Sequence, residues 1–387
     1  MTDHDVVIIG GGPAGASLAL HLVRREKHDP KRILILDKAT FPRDKPCAGA
    51  VSELGLEVLA ALGIHVTVPR VTMTGLRLLL GTAVAESFDT MGICVRRTQF
   101  DAMLLDHARA DGVSVSDGEG LSAIERREGG HLLTTSRGRR VTTRFVAACD
   151  GAGSTTRKLL GIREADRKGH LYVLETEPTS RDHGVRRGLA DFDLSVIEDG
   201  LEGYYWDFPT AMNGRVSRGI YDANLRVDDV SLKDVLARSL ARRGIDIKNT
   251  ILHPFSTRPF VSRSIGWVPG VVLVGEACGI DQTTGEGIAQ AIDMARIAAP
   301  HVARACASDN PHFDAYERDL RTSTTGRHML QSAWMARRVY GRLGAPARRY
   351  LLGSAYARRA AMKWYRGERL DTLTHARLGL GLARSAL

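Results

Sequence analysis

The sequence predicts an α/β fold in three parts: a Rossmann-like nucleotide-binding domain, an antiparallel-sheet domain and a helical C-terminal region. The first part is indicated by apolar strands that run into glycine-rich turns and then into helical patterns, at residues 6–25 and again at 271–298. The second is indicated by strand-rich and turn-rich sequence between residues 170 and 262. The third is indicated by a change of composition near residue 310, beyond which basic helical sequence follows.

Composition places the chain among ordinary globular proteins. Of its 387 residues, 43% are hydrophobic and 25% are charged, and no window of about 20 apolar residues indicates a transmembrane helix. Residues 6–9 already form a predicted strand, which leaves no room for a signal peptide. The five cysteines lack CxxC spacing, so neither a disulfide framework nor a metal site is expected. We therefore expect a cytoplasmic protein.

The first strand ends in a GxGxxG turn that opens a helix, as in dinucleotide-binding folds. In that motif the first glycine makes the tight turn, the second admits a pyrophosphate to the backbone, and the third lets helix and strand pack closely. A second strand at residues 33–36 ends in an aspartate, at the position where a carboxylate usually binds a ribose hydroxyl. The candidate nucleotide-binding residues are Gly10, Gly12, Pro13, Ala14, Gly15, Asp37 and Lys38.

A proline-bracketed loop at residues 41–50 contributes Arg43, Cys47 and Ala48 as further candidates. Cys47 lies among Arg43, Lys45 and a helix start, an environment that lowers the pKa of a thiol and makes the sulfur reactive. This interpretation makes Cys47 a catalytic candidate. The alternative is a small half-buried cysteine that fills space beside a cofactor, and both interpretations are kept.

Two later segments place charged candidates for cofactor binding near the N-termini of predicted helices. Arg97 opens a predicted helix that runs to residue 110, from where its guanidinium can reach a phosphate or a ribose. An exposed surface arginine is the alternative for this position. A third strand-to-turn unit ends in Asp150 and continues to Arg157, and both are predicted to order the turn and to touch the phosphates of the cofactor.

The glycine-punctuated loop at residues 275–288 gives the strongest indication of the ligand, because it joins a buried apolar strand to a helix. Its glycines let the backbone approach a flat ring, and the helix offers free N–H groups and the positive end of its dipole to the anionic edge of a reduced flavin. The sequence therefore predicts FAD, with its adenine dinucleotide half on the GxGxxG turn and its flavin half on this loop. The candidate residues of the loop are Gly275, Glu276, Gly285, Gly287 and Ile288.

An aromatic strand in the second part predicts a substrate wall. At the strand period of two, Tyr204, Trp206 and Phe208 share one face, whereas Tyr205 and Asp207 face away. Three aromatic rings in register form a broad apolar surface. One interpretation is that this surface packs under a helix. The other is that it faces the substrate beside a flavin, and on this interpretation Tyr204, Trp206 and Phe208 are catalytic candidates.

Several motifs of this chain are shared with one family of flavoproteins. They are Gly10-x-Gly12-x-x-Gly15, Arg97-x-x-Phe100-Asp101, Asp150-Gly151-x-x-Ser154-x-x-Arg157, Gly275-Glu276-Ala277, Gly285-Glu286-Gly287, Tyr204-x-Trp206-x-Phe208-Pro209 and Pro46-Cys47-Ala48-Gly49. Over residues 5–305 the chain resembles the geranylgeranyl reductase family, within the p-hydroxybenzoate hydroxylase-like (GR2) group. The resemblance implies FAD, a sheet-covered cavity, and reduction of C=C bonds in an isoprenoid or other hydrophobic small-molecule substrate by hydride transfer from reduced flavin.

Three departures from the family pattern leave the substrate open. Glu276 stands where an aspartate is usual, Ala48 and Ala50 replace glycines beside the cysteine, and the basic tail matches no family segment. The alternative on the same scaffold is a flavin-dependent monooxygenase or halogenase acting on a bulky aromatic or polyketide-type substrate. A halogenase is expected to carry WxWxIP, which residues 206–209 do not match. With a single GxGxxG, the external reductant, NAD(P)H or a ferredoxin-type donor, is not assigned.

These patterns predict three domains. The FAD-binding domain comprises residues 1–72, 94–162 and 263–310, and the substrate-binding sheet domain comprises residues 73–93 and 163–262.

The third domain, residues 311–387, is a basic helical region. From Arg318 onward 15 Lys and Arg oppose three acidic residues, a net charge of +12 (15 − 3) against +10 for the whole chain. Such a region predicts peripheral contact with an anionic membrane, contact with an acidic carrier, or a solvated cap over the substrate domain. Nucleic acid is not expected as a partner, because no nucleic-acid-reading module accompanies the charge.

Overall fold

The computed structural model describes residues 2–211, 214–226, 230–341 and 344–386. Within these ranges the strands form two eight-stranded sheets, and helices cover the sheets and make up the C-terminal region. The predicted α/β fold, with a nucleotide-binding sheet, a second sheet and a helical C-terminal region, is confirmed. Arg342, one of the basic residues counted in the C-terminal region, lies outside the described residues.

The first sheet has a parallel core. Its central strand β1 (His4–Ile9) pairs in parallel with β2 (Ile33–Asp37) and β9 (Arg140–Ala148), because the adjoining apolar residues are buried on both faces. Further strands extend the sheet on both sides. They are β6 (Ser114–Asp117) beside β2, β16 (Val271–Leu273) beside β9, β15 (Trp267–Val268) beside β16, and β7 (Leu121–Arg127) paired with β8 (Gly130–Thr135), which also pairs with β9.

Three helices pack together beside this sheet: α1 (Pro13–Arg24), α3 (Arg97–Ala110) and α7 (Ile288–Ser308). Both α1 and α7 are rich in buried alanine, which lets their axes approach closely. The carboxyl ends of β1 and β2 and the first turns of α1 and α7 meet at one edge of the sheet, where ligands bind in open α/β folds. The shorter helices are α2 (Glu53–Ala61), α4 (Thr155–Leu159) and α5 (His183–Arg186).

The second sheet is antiparallel except for one parallel pair, β11 with β4. Its strands, in spatial order, are β14 (His253–Thr257), β10 (Gly169–Thr176), β13 (Val216–Asp222), β12 (Gly203–Pro209), β11 (Leu189–Asp193), β4 (Arg70–Leu80), β5 (Ala83–Val95) and β3 (Ala50–Ser52). The predicted segment of the substrate-binding domain runs from residue 73 to residue 93. In the structure β4 begins at Arg70 and β5 ends at Val95, so both strands extend past these limits.

The outer face of the second sheet packs on α6 (Leu232–Ala241) and contains a buried ionic network. The Arg218 side chain has no exposed surface, lies 2.7 Å from the Asp182 carboxylate and also pairs with Asp207. Tyr205 donates its hydroxyl proton to Asp207 at 2.7 Å. Because these charges are paired, the outer face is buried without an isolated charge, and the inner face is left to line a cavity.

The C-terminal region is helical, as predicted. It contains α8 (Asp314–Thr322), α9 (Thr324–Val339), α10 (Ala345–Gly353), α11 (Ala355–Tyr365) and α12 (Thr372–Ala386). Helices α8 and α9 pack against α7, helices α10 and α11 lie against β5, and α12 packs against α10. No helix of the described ranges combines the length and the apolar content needed to cross a bilayer.

Candidate functional site

A cavity of about 470 Å³ lies between the two sheets and extends from the first turn of α1 to the inner face of β12. It is lined by most of the residues that the sequence singles out. The predicted residues on its surface are Gly10, Gly12, Pro13, Ala14, Asp37, Lys38, Arg43, Cys47, Ala48, Arg97, Asp150, Tyr204, Trp206, Phe208, Glu276, Gly285, Gly287 and Ile288. The structure thus brings the two glycine loops and the aromatic strand to one site.

The GxGxxG turn is built around backbone that only glycine accommodates. Gly10 has a φ of +107°, and a Cβ on Gly15 would lie 1.9 Å from the Gly10 carbonyl oxygen. Gly15 packs the helix onto the strand and does not line the cavity. The Asp37 carboxylate accepts hydrogen bonds from the N–H groups of Gly11 at 2.7 Å and Ala39 at 2.8 Å. Each oxygen keeps a lone pair for a ribose hydroxyl.

A cluster of basic side chains faces this turn. The Arg97 guanidinium is buried and donates two hydrogen bonds to Asp101, at 2.7 and 2.6 Å. Burial alone would lower the pKa of Arg97, but the Asp101 carboxylate outweighs burial and the pKa is raised. Arg43 also contacts Asp101 at 3.0 Å, and its guanidinium nitrogen would lie 3.1 Å from a Cβ on Gly12. Arg43 therefore stands over the first turn of α1, where a pyrophosphate would be bound.

The third strand-to-turn unit differs from the prediction at Arg157. Asp150 lies on the cavity and orders the turn, because it accepts hydrogen bonds from the Ser154 hydroxyl at 2.6 Å and the Thr156 N–H at 2.9 Å. Arg157 is buried instead of facing the cavity, and it donates to the carbonyl oxygens of Ala277 at 3.2 Å and Arg163 at 2.5 Å. Its guanidinium thus donates to backbone carbonyl groups and does not face the place where a phosphate would bind.

The late loop presents a helix N-terminus to the cavity. Gly285 has a φ of +67°, and Gly287 precedes α7 without a side chain that caps the first N–H groups. These groups fit the anionic edge of a flavin ring. Gly275 does not line the cavity, because its Cα packs against Ala14 of α1, where an added Cβ would lie 2.8 Å from the alanine Cβ.

The late loop is anchored by a carboxylate that the sequence reasoning missed. Asp281 accepts hydrogen bonds from the N–H groups of Thr283 at 2.7 Å and Thr284 at 2.8 Å. It also accepts the Ser332 hydroxyl proton at 2.5 Å and lies 3.0 Å from His328 Nε2. An aspartate two residues before Thr283 is the signal of an Asx turn, but its partners on α9 lie about fifty residues later and give no local signal.

Two further ionisable groups on the cavity were not assigned from the sequence. The Glu286 carboxylate is buried, accepts a hydrogen bond from the Ser52 N–H at 3.4 Å and is also bonded by the Gln290 amide. Burial raises the pKa of Glu286 to about 7. Lys45 lies 3.5 Å from the Glu276 carboxylate and 4.6 Å from the Phe255 ring centroid, and burial lowers its pKa.

The inner face of the second sheet forms the aromatic wall that the alternation predicts. Tyr204, Trp206 and Phe208 line the cavity, whereas Tyr205 lies on the outer face under Arg243. The ring centroids of Tyr204 and Trp206 are 6.1 Å apart, and those of Trp206 and Phe208 are 6.4 Å apart. The Tyr204 hydroxyl donates to the Thr284 carbonyl, and burial raises the pKa of Tyr204 well above its usual value, so this phenol keeps its proton.

Cys47 is half-buried at the junction between the nucleotide end and the aromatic wall. Its Sγ accepts a hydrogen bond from the Gly49 N–H at 3.3 Å, and it lies close to the Arg97 guanidinium. Both interpretations of this cysteine, reactive thiol and space-filling contact, fit that position. Within the described ranges, no group of three His, Cys, Asp or Glu side chains is arranged to hold a metal ion.

Comparisons with known proteins agree with this geometry. The FAD binding domain family matches residues 3–203, just over half of the chain. The geranylgeranyl diphosphate reductase of Rhodobacter capsulatus is 27% identical over 313 residues, which cover 76% of this chain and 74% of that protein. The rifampicin monooxygenase of Streptomyces venezuelae is 31% identical over 217 residues, 51% of this chain and 44% of that protein. A geranylgeranyl bacteriochlorophyll reductase-like structure from Thermoplasma acidophilum superposes with a TM-score of 0.72 at 20% identity, covering 99% of this chain and 96% of that one.

Proposed function

The chain belongs to the FAD binding domain family, and on that premise we propose that it is an oxidoreductase that reduces C=C bonds of an isoprenoid or other hydrophobic substrate. The observation that carries the proposal is the continuity of one cavity from the GxGxxG turn to the wall of Tyr204, Trp206 and Phe208. The similarity to a geranylgeranyl diphosphate reductase supports the same substrate class.

The residues on the cavity divide into two cofactor-binding groups. The first turn of α1, Asp37 and Arg43 would hold the adenine dinucleotide half of FAD, and residues 285–288 would hold the flavin half. When bound there, FAD supplies hydride-transfer chemistry. The loop of residues 281–288 cannot move freely, because Tyr204 and Tyr221 of the second sheet bond to its carbonyl oxygens.

The aromatic wall supplies the environment that reduction of an unactivated alkene needs. Its rings are less than a tenth exposed and present carbon surface to the cavity. A hydrocarbon substrate that lies against Trp206 and Phe208 therefore displaces water from the cavity. Excluding water protects a reactive carbon centre and strengthens every electrostatic interaction within the site. The hydrocarbon part of the substrate would thus make apolar contacts with the wall, and its polar end would face the charged half of the cavity.

The proposed reaction predicts a direct result. A photoreduced, FAD-loaded enzyme is expected to be reoxidised without oxygen by a polyprenyl alkene, because the wall places the alkene in the cavity that holds the flavin half. The measurement is flavin absorbance in an anaerobic stopped-flow cell, with the saturated analogue of the alkene as control. Reoxidation by the saturated analogue, or by oxygen alone, would contradict C=C reduction.

A monooxygenase is the second candidate function, and the observation that favours it is the identity of 31% with the rifampicin monooxygenase of Streptomyces venezuelae. A bulky aromatic or polyketide-type substrate would then lie against the same wall. The discriminating measurement is oxygen uptake coupled to NADPH consumption. Uptake stimulated by such a substrate favours oxygenation, whereas reduction of an alkene under anaerobic conditions excludes it as the main activity.

We further propose that α12 contacts an anionic membrane, from which a hydrophobic substrate is drawn. Leu373, Arg377, Leu380 and Arg384 recur at helical spacing on one face of α12, and all four are exposed. No acidic residue occurs within α12, so its charge is complementary to anionic lipid.

The membrane proposal predicts sedimentation with liposomes. The intact protein is expected to sediment with vesicles that contain anionic lipid, less so at high salt, and not with neutral vesicles. A double change of Leu373→Glu and Leu380→Glu is expected to abolish sedimentation, because it adds negative charge to the face and removes its apolar side chains. The matched control is Ile251→Glu, an exposed apolar position outside the C-terminal region. Binding that survives the double change, or binding to an acidic carrier protein only, would overturn the proposal.

A further inference from the structure

Glu286 places a carboxyl group on the cavity, within the loop that would hold the flavin half by its backbone. Its neighbours Gly285 and Gly287 shape the loop by their backbone, whereas Glu286 contributes a side chain that is only 7% exposed. One carboxylate oxygen accepts the long hydrogen bond from the Ser52 N–H, and the other accepts from the Gln290 amide. Neither partner is a cation, so the group is not a member of a buried ion pair.

The surroundings of Glu286 favour its protonated form. Burial is the main cause, and the negative charge of Asp281 acts in the same direction, whereas His328 of α9 opposes it. From the other elements packed around it, the phenols of Tyr204 on β12 and Tyr365 on α11 face the same region. Both phenols have pKa values raised by burial and are poor acids near neutral pH. Glu286 is therefore a stronger acid than either of the two phenols beside it.

We propose that Glu286 is the catalytic acid that delivers the proton completing reduction of the substrate double bond, an inference that rests on the function proposed above. Reduced FAD, which residues 285–288 would hold, would supply a hydride to one alkene carbon and be oxidised by two electrons, and the Glu286 O–H gives its proton to the other carbon. The C=C π bond, the O–H bond and the bond between the donor and its hydride break, and two C–H bonds form. The remaining carboxylate takes a proton from solvent before the next turnover.

Flavin, water, Tyr204 and Cys47 are competing proton sources for this reaction, and the contacts of the two side chains distinguish them from Glu286. The Tyr204 hydroxyl is already donated to the Thr284 carbonyl oxygen. The Cys47 sulfur is engaged by the Gly49 N–H and lies close to the Arg97 guanidinium. Glu286 only accepts hydrogen bonds in the structure, from Ser52 and Gln290, and its side chain lies on the cavity that the substrate would enter.

The test compares wild-type holoenzyme with Glu286→Gln, which keeps the size of the side chain and one acceptor oxygen but cannot supply the proton. Each protein is reduced anaerobically and mixed with a polyprenyl alkene over a range of pH. The variant is expected to react about 100-fold more slowly, the usual contribution of a general acid. The wild-type rate should fall as pH rises through about 7, and the rate of the variant should not. Reoxidation by ferricyanide, which needs no carbon protonation, should be equal in both.

A second readout does not depend on turnover. Infrared spectra of the apoprotein are expected to show a protonated carboxyl band that titrates near pH 7 and is reduced in Glu286→Gln. Asp191→Asn is the matched control, because Asp191 is also a buried carboxyl group but pairs with Arg77 away from the cavity. Asp191→Asn should change neither the band that Glu286→Gln reduces nor the alkene reaction.

The possible outcomes separate this inference from the proposed function. Equal alkene rates and equal pH profiles in wild type and Glu286→Gln would overturn the role of Glu286 and leave alkene reduction intact. An infrared band that Glu286→Gln does not reduce would also overturn it. If the reduced wild-type enzyme reacts with oxygen but with no alkene, the proposed function fails first, and the role of Glu286 fails with it.

Discussion

Replacing Gly15 by alanine is expected to abolish tight FAD binding. The added methyl carbon would lie 1.9 Å from the Gly10 carbonyl oxygen, which belongs to the backbone of the same turn and cannot rotate away. Either α1 or the end of β1 must shift, and both carry the groups that receive the pyrophosphate. Overpacking of this kind costs about 3 kcal/mol, which corresponds to roughly 100-fold in affinity. The measurement is the dissociation constant of FAD by quenching of flavin fluorescence.

Gly11→Ala is the matched control, because it lies in the same turn. A Cβ on Gly11 would meet only side-chain carbons of Leu105 and Phe41, at 3.3 Å, and these can move by a few tenths of an ångström. The hydrogen bond from the Gly11 N–H to Asp37 is kept. Gly11→Ala should therefore retain most of the affinity, and a loss as large as that of Gly15→Ala would contradict the assignment of the effect to the clash.

Replacing Asp281 by alanine is expected to weaken FAD binding and to lower the free energy of unfolding. The change leaves the Thr284 N–H and the His328 imidazole without their acceptor, whereas the Thr283 N–H keeps Ser332 Oγ and the Ser332 hydroxyl keeps Thr283 Oγ1. Each unsatisfied buried group costs about 1–3 kcal/mol, although rearrangement will recover part of the total. The measurements are urea unfolding of the apoprotein and the FAD dissociation constant.

Two further variants test this explanation. Ser332→Ala removes one of the four contacts from the side of α9 and should reproduce a smaller loss of FAD affinity. Asp106→Ala removes an exposed aspartate whose partner, Arg109, is also partly exposed, and surface pairs of this kind contribute little. If Ser332→Ala changes neither quantity, or if Asp106→Ala changes both, α9 does not hold the loop.

The parts of the site that could be predicted from the sequence are those fixed by local periodicity and by glycine. The strand-to-turn units and the face shared by Tyr204, Trp206 and Phe208 follow from a repeat of two and from the φ angles that turns require. The direction of a single long side chain does not follow in this way. Arg157 lies on a five-residue helix, and the sequence could not show that it would turn inward to backbone carbonyls.

Contacts between distant segments account for the rest. Asp281 is held by residues of α9, and Glu286 is packed against Ser52, more than two hundred residues earlier in the chain. The pairing of β3 with β5, which moves the edge of the second sheet beyond its predicted limit, is likewise a long-range choice. No window of sequence contains both partners of such a contact, so composition and spacing could not identify them.

The attachment of the late loop to α9 has a consequence for biosynthesis. The GxGxxG turn emerges from the ribosome first, whereas His328 and Ser332 are added more than three hundred residues later. A nascent chain can therefore form one half of the coenzyme site early, but the other half acquires its support only after α9 has been synthesised. Flavin incorporation in the cell is then expected to wait for the synthesis of α9.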